Sequence, residues 1–438
     1  MTPYPYPVIV LPGIMGSALR DEYPVSPETV WTPFKLVIKA YDRITAHPDN
    51  TRFELVEPAR VVKDQLFAIA YSEFVEELRH DLSPQADQPV PVFPFAYDWR
   101  QRLEGIQEAL DGFIDEVIDR TKLLRHYHKE GYGTAAFPGK VNLVGHSMGG
   151  LIIAGYLKDH GDAKVAKVAT IASPFRGSLE AIAKVATGVA ALGPSSGSSR
   201  EREAARVTPS LYYLLSSFAG DVDAAPGLSD DLFLPTSWQP GIIDTLASFI
   251  KDFGLDASAD DTIRHQQALQ LLTDLLNAAR QHRANIENLV LNDSKQWLCI
   301  VGVDGKTRVR IHIDKDDNGK PQFDLSDNDV VNEYGDPDPA HHIFTGDNTV
   351  PYLGARTSFI PIEQVVCVSQ DDFRILEFED RLLAKSGFHA FMPTMDLVQR
   401  LVISHFKERQ QGDVWGRPAP DLPEGTAWDP PINGLRPK

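Results

Sequence analysis

Cysteine is scarce in this chain: Cys299 and Cys367 are the only two among 438 residues. Two thiols, each inside an apolar strand-like run, exclude a disulfide scaffold and a thiolate metal site, and they read as buried free thiols. Long hydrophobic runs are missing too. No apolar stretch reaches the ~18 residues that cross a bilayer, which excludes an integral membrane protein built on helices. Positive charge is in deficit, with 43 Lys and Arg against 61 Asp and Glu and a formal net charge of −18. Counterion release at a nucleic acid needs clustered cations, so a nucleic-acid partner is excluded. Long-range attraction to an anionic lipid surface is excluded on the same ground, and a neutral or zwitterionic ligand fits better. No basic residue precedes the first apolar run in MTPYPYPVIVLPG, so the start lacks the form of a secretory signal and a cytoplasmic location is expected. There is no internal repeat.

What is present is an ordinary globular composition, 42% hydrophobic and 24% charged, on a chain longer than one core usually serves. Val- and Ile-rich runs of strand length occur at Val8–Leu11, Val141–Val144, Val165–Ala172, Trp297–Val303 and Gln364–Val368. Unalternating runs of this kind suit strands buried on both faces of a parallel sheet. Helical patterns at Ser72–Leu82, Leu103–Leu124 and Gly149–Lys158 alternate with them, which predicts an α/β fold. Residues 179–290 break the alternation, with helical stretches at Ile242–Phe253 and Thr262–Val290 and no strand pattern. The expected layout is a core, first part, over 1–178, a mainly helical cap or lid over 179–290, a second core part with a hairpin excursion over 291–410, and a Pro-rich tail over 411–438. The tail reads as either free or laid over the surface as an arm. Inside the cap, the Gly193–Glu203 stretch GPSSGSSRERE has too little apolar area to order itself, and reads equally as a mobile flap or a linker.

The chemistry centres on Val141-Asn-Leu-Val-Gly145-His-Ser147-Met-Gly149-Gly, a G-x-S-x-G pentapeptide between an apolar strand and a helical run. A serine hydroxyl becomes a useful nucleophile when a sharp turn holds it clear of the backbone, and small residues on either side let that turn pass. Ser147 meets this requirement, and the context predicts an α/β-hydrolase fold: a mostly parallel central sheet flanked by helices, with the inserted cap. A tetrahedral intermediate also needs fixed N–H donors. In such an elbow one comes from the residue after the nucleophile, Met148, and another from a loop after an early strand, here Ile14 in Pro12-Gly-Ile-Met-Gly-Ser17.

A base should follow the last core strand. Of thirteen histidines, His389 in Ser386-Gly-Phe-His-Ala-Phe-Met is best placed, between a strand pattern at Phe373–Phe378 and a helical one at Met395–Phe406. His405 lies within that helix, His341 and His342 lie in a Pro and Asp loop, and His146 reads as a packing residue. The orienting acid has two candidates: Asp304, directly after a strand, and Asp347, in Gly346-Asp-Asn-Thr-Val-Pro351. Asp314-Lys-Asp-Asp-Asn-Gly319 begins like a calcium loop, but Leu325 holds the twelfth position where a Glu is needed. A hairpin closed by Asn318-Gly319 is expected there, with no metal and no cofactor.

Together, PVIVLPGIMGSAL at 7–19, Tyr97-Asp98-Trp99-Arg100, LVGHSMGG at 143–150, Ala172-Ser-Pro-Phe-Arg-Gly-Ser178 and Gly346–Pro351 resemble the lecithin:cholesterol acyltransferase family, which includes lysosomal phospholipase A2 and the phospholipid:diacylglycerol acyltransferases. The resemblance implies a Ser147, Asp347 and His389 triad, an oxyanion hole from Ile14 and Met148, and acyl transfer from a lipid ester to water or an alcohol. It also implies substrate contacts for Trp99 and for Trp31, which aligns with a membrane-facing tryptophan, and transient contact with a lipid surface. The sequence departs from the family between Ser178 and Trp297, lacks the disulfide of secreted members, and has Asn348 where the family often has Gly.

Overall fold

A computed structural model of the protein describes residues 4–32, 40–56, 58–190, 198–256, 260–373, 387–410 and 412–438. Six strands form the central sheet: β1 (Val8–Leu11), β2 (Val92–Pro94), β3 (Val141–His146), β4 (Val165–Ile171), β5 (Trp297–Val303) and β6 (Val366–Ser369). Their order is β6-β5-β4-β3-β1-β2 and every pairing is parallel. The strands carry the unalternating apolar runs because both faces are covered. Val8 and Val10 point to one helical layer, and Ile9 and Leu11 to the other. The short edge strand β2 has no such run, since Pro91 and Pro94 bracket it, and it is invisible to a hydrophobic pattern.

The longer connecting helices, in chain order, are α1 (Ala68–Leu82), α2 (Leu103–Lys122), α3 (Met148–His160), then in the insertion α4 (Leu179–Thr187), α5 (Ser199–Val207), α6 (Pro240–Phe253) and α7 (Asp261–Glu287), and last α8 (Asp396–Lys407). Phe74 and Leu78 of α1 and Leu401 and Val402 of α8 cover one face. Leu110 and Ile114 of α2 and Leu151 and Ile152 of α3 cover the other, and Leu272 and Leu276 of α7 extend that same core into the insertion. Each such side chain is worth ~1.5–3 kcal/mol when fully buried. Among the described residues no helix is long and apolar enough to cross a membrane.

Two local outcomes differ from the pattern reading. The insertion contains a strand, Val222–Ala224, which pairs with Ile311–Lys315 of the hairpin whose other arm is Pro321–Asp324. The hairpin turns at Gly319, with φ +72°, and the Asp316 carboxylate takes the N–H groups of Asn318 and Lys320. Of the stretch Gly193–Glu203, residues 193–197 lie outside the described residues, and Ser198 caps α5. The charged end of that stretch orders because Glu201, fully buried, meets Lys184 at 2.5 Å and the Tyr41 hydroxyl at 2.8 Å. A buried ion pair replaces the apolar area that composition lacks. The strand pattern at Phe373–Phe378 lies outside the described residues beyond Phe373.

The tail forms an arm. Trp415–Gly416 pairs with Arg436–Pro437, and Arg417 exchanges both backbone hydrogen bonds with Cys367 on the outer side of β6. Trp415, Arg417 and Lys438 all converge on the Asp372 carboxylate just past β6.

Candidate active site

Sheet register decides which loops meet. Leu11 pairs with Gly145 and His146 with Ile171, so the loop after β1, the turn after β3 and the turn after β4 emerge side by side at the C-terminal ends of the strands. Open parallel sheets bind ligands at that end. Ser147 occupies the turn with φ 53° and ψ −123°, a conformation a non-glycine residue adopts only under constraint. The constraint is packing. A Cβ on Gly145 would lie 2.7 Å from backbone atoms of Gly149 and Gly150, one on Gly149 would lie 2.7 Å from the Leu11 carbonyl oxygen, and one on Gly150 would lie 2.1 Å from Ser173 Oγ. Small residues are therefore required, and the Ser147 N–H is anchored to the Ile171 carbonyl at 2.8 Å.

Two further side chains converge on Ser147. His389 Nε2 is 2.9 Å from Ser147 Oγ, and His389 Nδ1 is 2.7 Å from Asp347 Oδ2. The other carboxylate oxygen of Asp347 accepts the N–H groups of Thr349 at 3.1 Å and Val350 at 2.7 Å. The His389 N–H also donates to the Asp347 carbonyl at 3.0 Å. Exposure is low: 5% for Ser147, 8% for His389 and 1% for Asp347. Asp347 reaches this position because the excursion after β5 closes on itself, with the Gly305 N–H bonded to the Gly346 carbonyl at 2.9 Å. Asp304 sits at the strand end as its position suggested, but its carboxylate bonds Ser369 Oγ and Asn332 Nδ2, both at 2.9 Å, and not an imidazole. Asn348 has φ 76°, which accounts for a glycine at this position elsewhere in the family. Asn tolerates the left-handed region, and its amide braces the Lys306 carbonyl and the Phe388 N–H.

The loop Pro12–Ser17 lies against the nucleophile, since a Cβ on Gly13 would be 2.9 Å from Ser147 Cβ and 3.4 Å from its Oγ. The Gly13 carbonyl accepts the Gly16 N–H at 3.0 Å, which fixes the plane of the Gly13–Ile14 peptide and with it the direction of the Ile14 N–H. Met148 opens α3, so its N–H has no carbonyl one turn earlier to accept it. The Tyr97–Arg100 tetrapeptide braces the loop at both ends: Tyr97 Oη donates to the Pro12 carbonyl at 2.7 Å and Trp99 Nε1 to the Ser17 carbonyl at 3.1 Å. Arg100, 3% exposed, ties this brace to Asp98 and Glu54. Trp31 and Trp99 are buried at 1% and 2%, with ring centroids 5.5 Å apart and Tyr41 beside Trp31. Neither ring is presented at the surface, so a substrate contact by either requires this cluster to open.

The other histidines fall elsewhere. His405 is buried between the Pro431 and Gln296 carbonyls, and burial pushes it down to about 4. His342 Nε2 bonds the Asp336 carbonyl, and His341 pairs with Asp336. His146, read as packing, instead makes two directed bonds: Nδ1 to Tyr71 Oη at 2.7 Å and Nε2 to the His389 carbonyl at 2.9 Å. Sequence reasoning missed Tyr71 altogether. Nothing near it in the chain signals a site, because its partners come from two other segments.

A parallel sheet with a serine elbow and a histidine–carboxylate pair at its C-terminal edge defines an α/β-hydrolase. A solved structure described as the crystal structure of the Tle4-Tli4 complex has the same fold, with a TM-score of 0.59 and 16% sequence identity, covering 92% of this chain and 98% of that one. No curated protein matches the chain in sequence. The family model for lecithin:cholesterol acyltransferase matches residues 85–357, more than half of the chain, and the chain belongs to that family. It is thus an enzyme that handles the acyl groups of lipid esters. The matched span includes Ser147 and Asp347, while Ile14 and His389 lie outside it.

Proposed function

We propose that this chain is a serine-dependent lipid esterase or phospholipase that cleaves a carboxylic ester through an acyl-enzyme on Ser147. The observation that carries the reading is the continuous run from Ser147 Oγ through His389 to Asp347, at 2.9 and 2.7 Å. His389 takes the Ser147 proton as Oγ attacks the ester carbonyl, and the Ile14 and Met148 amides hold the oxyanion. Asp347 keeps the imidazole proton on Nδ1, so Nε2 is free to accept. Collapse of the intermediate expels the alcohol or lysolipid, which leaves with the proton from His389. Water, deprotonated by the same imidazole, then releases the acid. No cofactor enters these steps.

The family match also favours acyl transfer, in which a lipid alcohol replaces water as the acceptor. The net charge of −18 supports a neutral or zwitterionic substrate over an anionic one. Two measurements test the proposal. A fluorophosphonate probe should label Ser147 and should not label Ser147→Ala. A panel of p-nitrophenyl esters and phosphatidylcholine, assayed with and without an alcohol acceptor, should show ester cleavage, and the ratio of free acid to transferred ester separates hydrolase from transferase. Absence of both labelling and turnover would make the chain a non-catalytic binding protein on the hydrolase fold.

A further inference from the structure

A run of hydrogen bonds behind the triad has a single allowed direction. The His389 carbonyl can only accept, so the His146 nitrogen 2.9 Å from it, Nε2, carries a proton. His146 is 4% exposed, and burial together with the adjacent His389 ring pushes its ionisation down to about 3, so the imidazole is neutral and Nδ1 is bare. Nδ1 therefore accepts from the Tyr71 hydroxyl at 2.7 Å. The Tyr71 oxygen, having donated its only proton, accepts the Gly13 N–H at 2.9 Å. Tyr71 is itself 3% exposed, so these groups are shielded from bulk solvent. The run reads Gly13 N–H to Tyr71 O–H to His146, then His146 N–H to the His389 carbonyl, with every donor pointing the same way. Bonds aligned in this manner polarise one another.

Its two ends are the two parts of the site that must be in register. At one end Gly13 immediately precedes Ile14, the proposed oxyanion donor, whose N–H direction is fixed by the Gly13–Gly16 bond. At the other end is the backbone of His389, whose own N–H is held by the Asp347 carbonyl. We propose that Tyr71 and His146 are positioning residues that tie the oxyanion loop to the backbone of the base, so that donor and proton acceptor are set against Ser147 before substrate arrives. This deepens the acyl-enzyme reading above and rests on it. Neither residue hydrogen-bonds a reacting atom, although the His146 ring lies beside the His389 imidazole, with centroids 5.1 Å apart. They act by preorganisation, which counts only in the transition state.

The test is a double-mutant cycle on one soluble ester. Tyr71→Phe keeps the ring packing and removes the hydroxyl. It should lower kcat roughly ten- to a hundred-fold with KM little changed, less than the ~10²–10³ lost when an oxyanion donor is deleted outright. His146→Gln retains a donor for the His389 carbonyl but no acceptor for Tyr71, whereas His146→Asn retains the acceptor alone. Combined with Tyr71→Phe, His146→Gln should add little further loss, because the link is already cut. A Tyr71→Phe enzyme within twofold of wild type overturns the proposal. So do losses in Tyr71→Phe and His146→Gln that simply multiply, which mark independent packing roles. A readout without turnover separates this failure from failure of the acyl-enzyme reading. Nitrogen-15 shifts of the His146 ring should report the Nε2–H tautomer, unchanged between about pH 5 and 8, where a free imidazole titrates. If the wild type neither labels nor turns over esters, the acyl-enzyme reading fails and the positioning role with it. An Nδ1–H tautomer or a titrating His146 overturns the relay even in an active enzyme.

Discussion

Replacing Asp347 by asparagine has an outcome that the surrounding amides dictate. One carboxylate oxygen is fixed by the Thr349 and Val350 N–H groups, so the amide oxygen of the introduced side chain must take that place. The NH2 group then faces His389 Nδ1, where a proton already sits. The imidazole responds by moving its proton to Nε2, and in that tautomer it cannot accept from Ser147. The expected fall in kcat is on the order of 10⁴, the cost of a misplaced tautomer in a serine triad, or about 5 kcal/mol of barrier. Asp304→Asn keeps its oxygen for Ser369, disturbs only the second bond to Asn332, and should cost about 1 kcal/mol of stability with kcat within a few-fold of wild type. Both variants are assayed for kcat on one p-nitrophenyl ester, with folding checked by circular dichroism. If Asp304→Asn is the crippled enzyme and Asp347→Asn is near wild type, the reasoning about the acid is refuted.

Further expectations can be checked with the same preparations. Ser147→Ala should lose ester hydrolysis entirely while its melting temperature stays at the wild-type value, and residual turnover beyond a trace assigns the nucleophile elsewhere. Gly149→Ala would force a Cβ to 2.7 Å from the Leu11 carbonyl oxygen and 2.9 Å from that of Pro12, both backbone atoms that cannot swing away. It should destabilise the fold by ~1–3 kcal/mol and abolish activity, and an unchanged denaturation midpoint would contradict the packing described. His146, His282 and His405 are held neutral by burial, at about 3, 3 and 4, whereas the unfolded chain protonates them near 6.5. Between these values the unfolded state binds more protons, so stability is full above pH ~6.5 and declines as pH falls below it. Urea midpoints at several pH values should show this decline, with a shallower slope for His405→Gln; an identical slope counts against it.

The legible part of the molecule was the part specified locally. The β3 run, the glycines around Ser147 and the α3 pattern lie within about twenty consecutive residues, and their spacing carries the elbow's steric requirements directly. The choice between Asp304 and Asp347 depended on resemblance, because the Gly305–Gly346 bond that returns the chain to the end of β5 spans forty-one positions and leaves no periodic trace. The strand β2 was hidden by its prolines. The charged end of Gly193–Glu203 looked unable to order because composition does not reveal that Glu201 meets Lys184 and Tyr41. Tyr71 sits in an amphipathic helix like any core aromatic, and only its hydroxyl, pointing at Gly13 and His146, sets it apart.

The two borders of the central sheet bear on how this protein meets other molecules. Along β2, the Phe95 N–H and the Pro91 carbonyl face β1, which turns Pro94 outward, where it has no N–H to offer a neighbour. Along β6, the opposite border, Arg417 already occupies the Cys367 N–H and carbonyl. A foreign strand thus meets, along β2, a proline without an N–H and a Val92 carbonyl already taken by Arg79, and along β6 the protein's own tail, so strand addition is disfavoured on the first margin and blocked on the second. At the β6 margin a binding protein must therefore be recognised through side chains and surface shape, and removing residues beyond 412 would convert that sealed margin into an adhesive one.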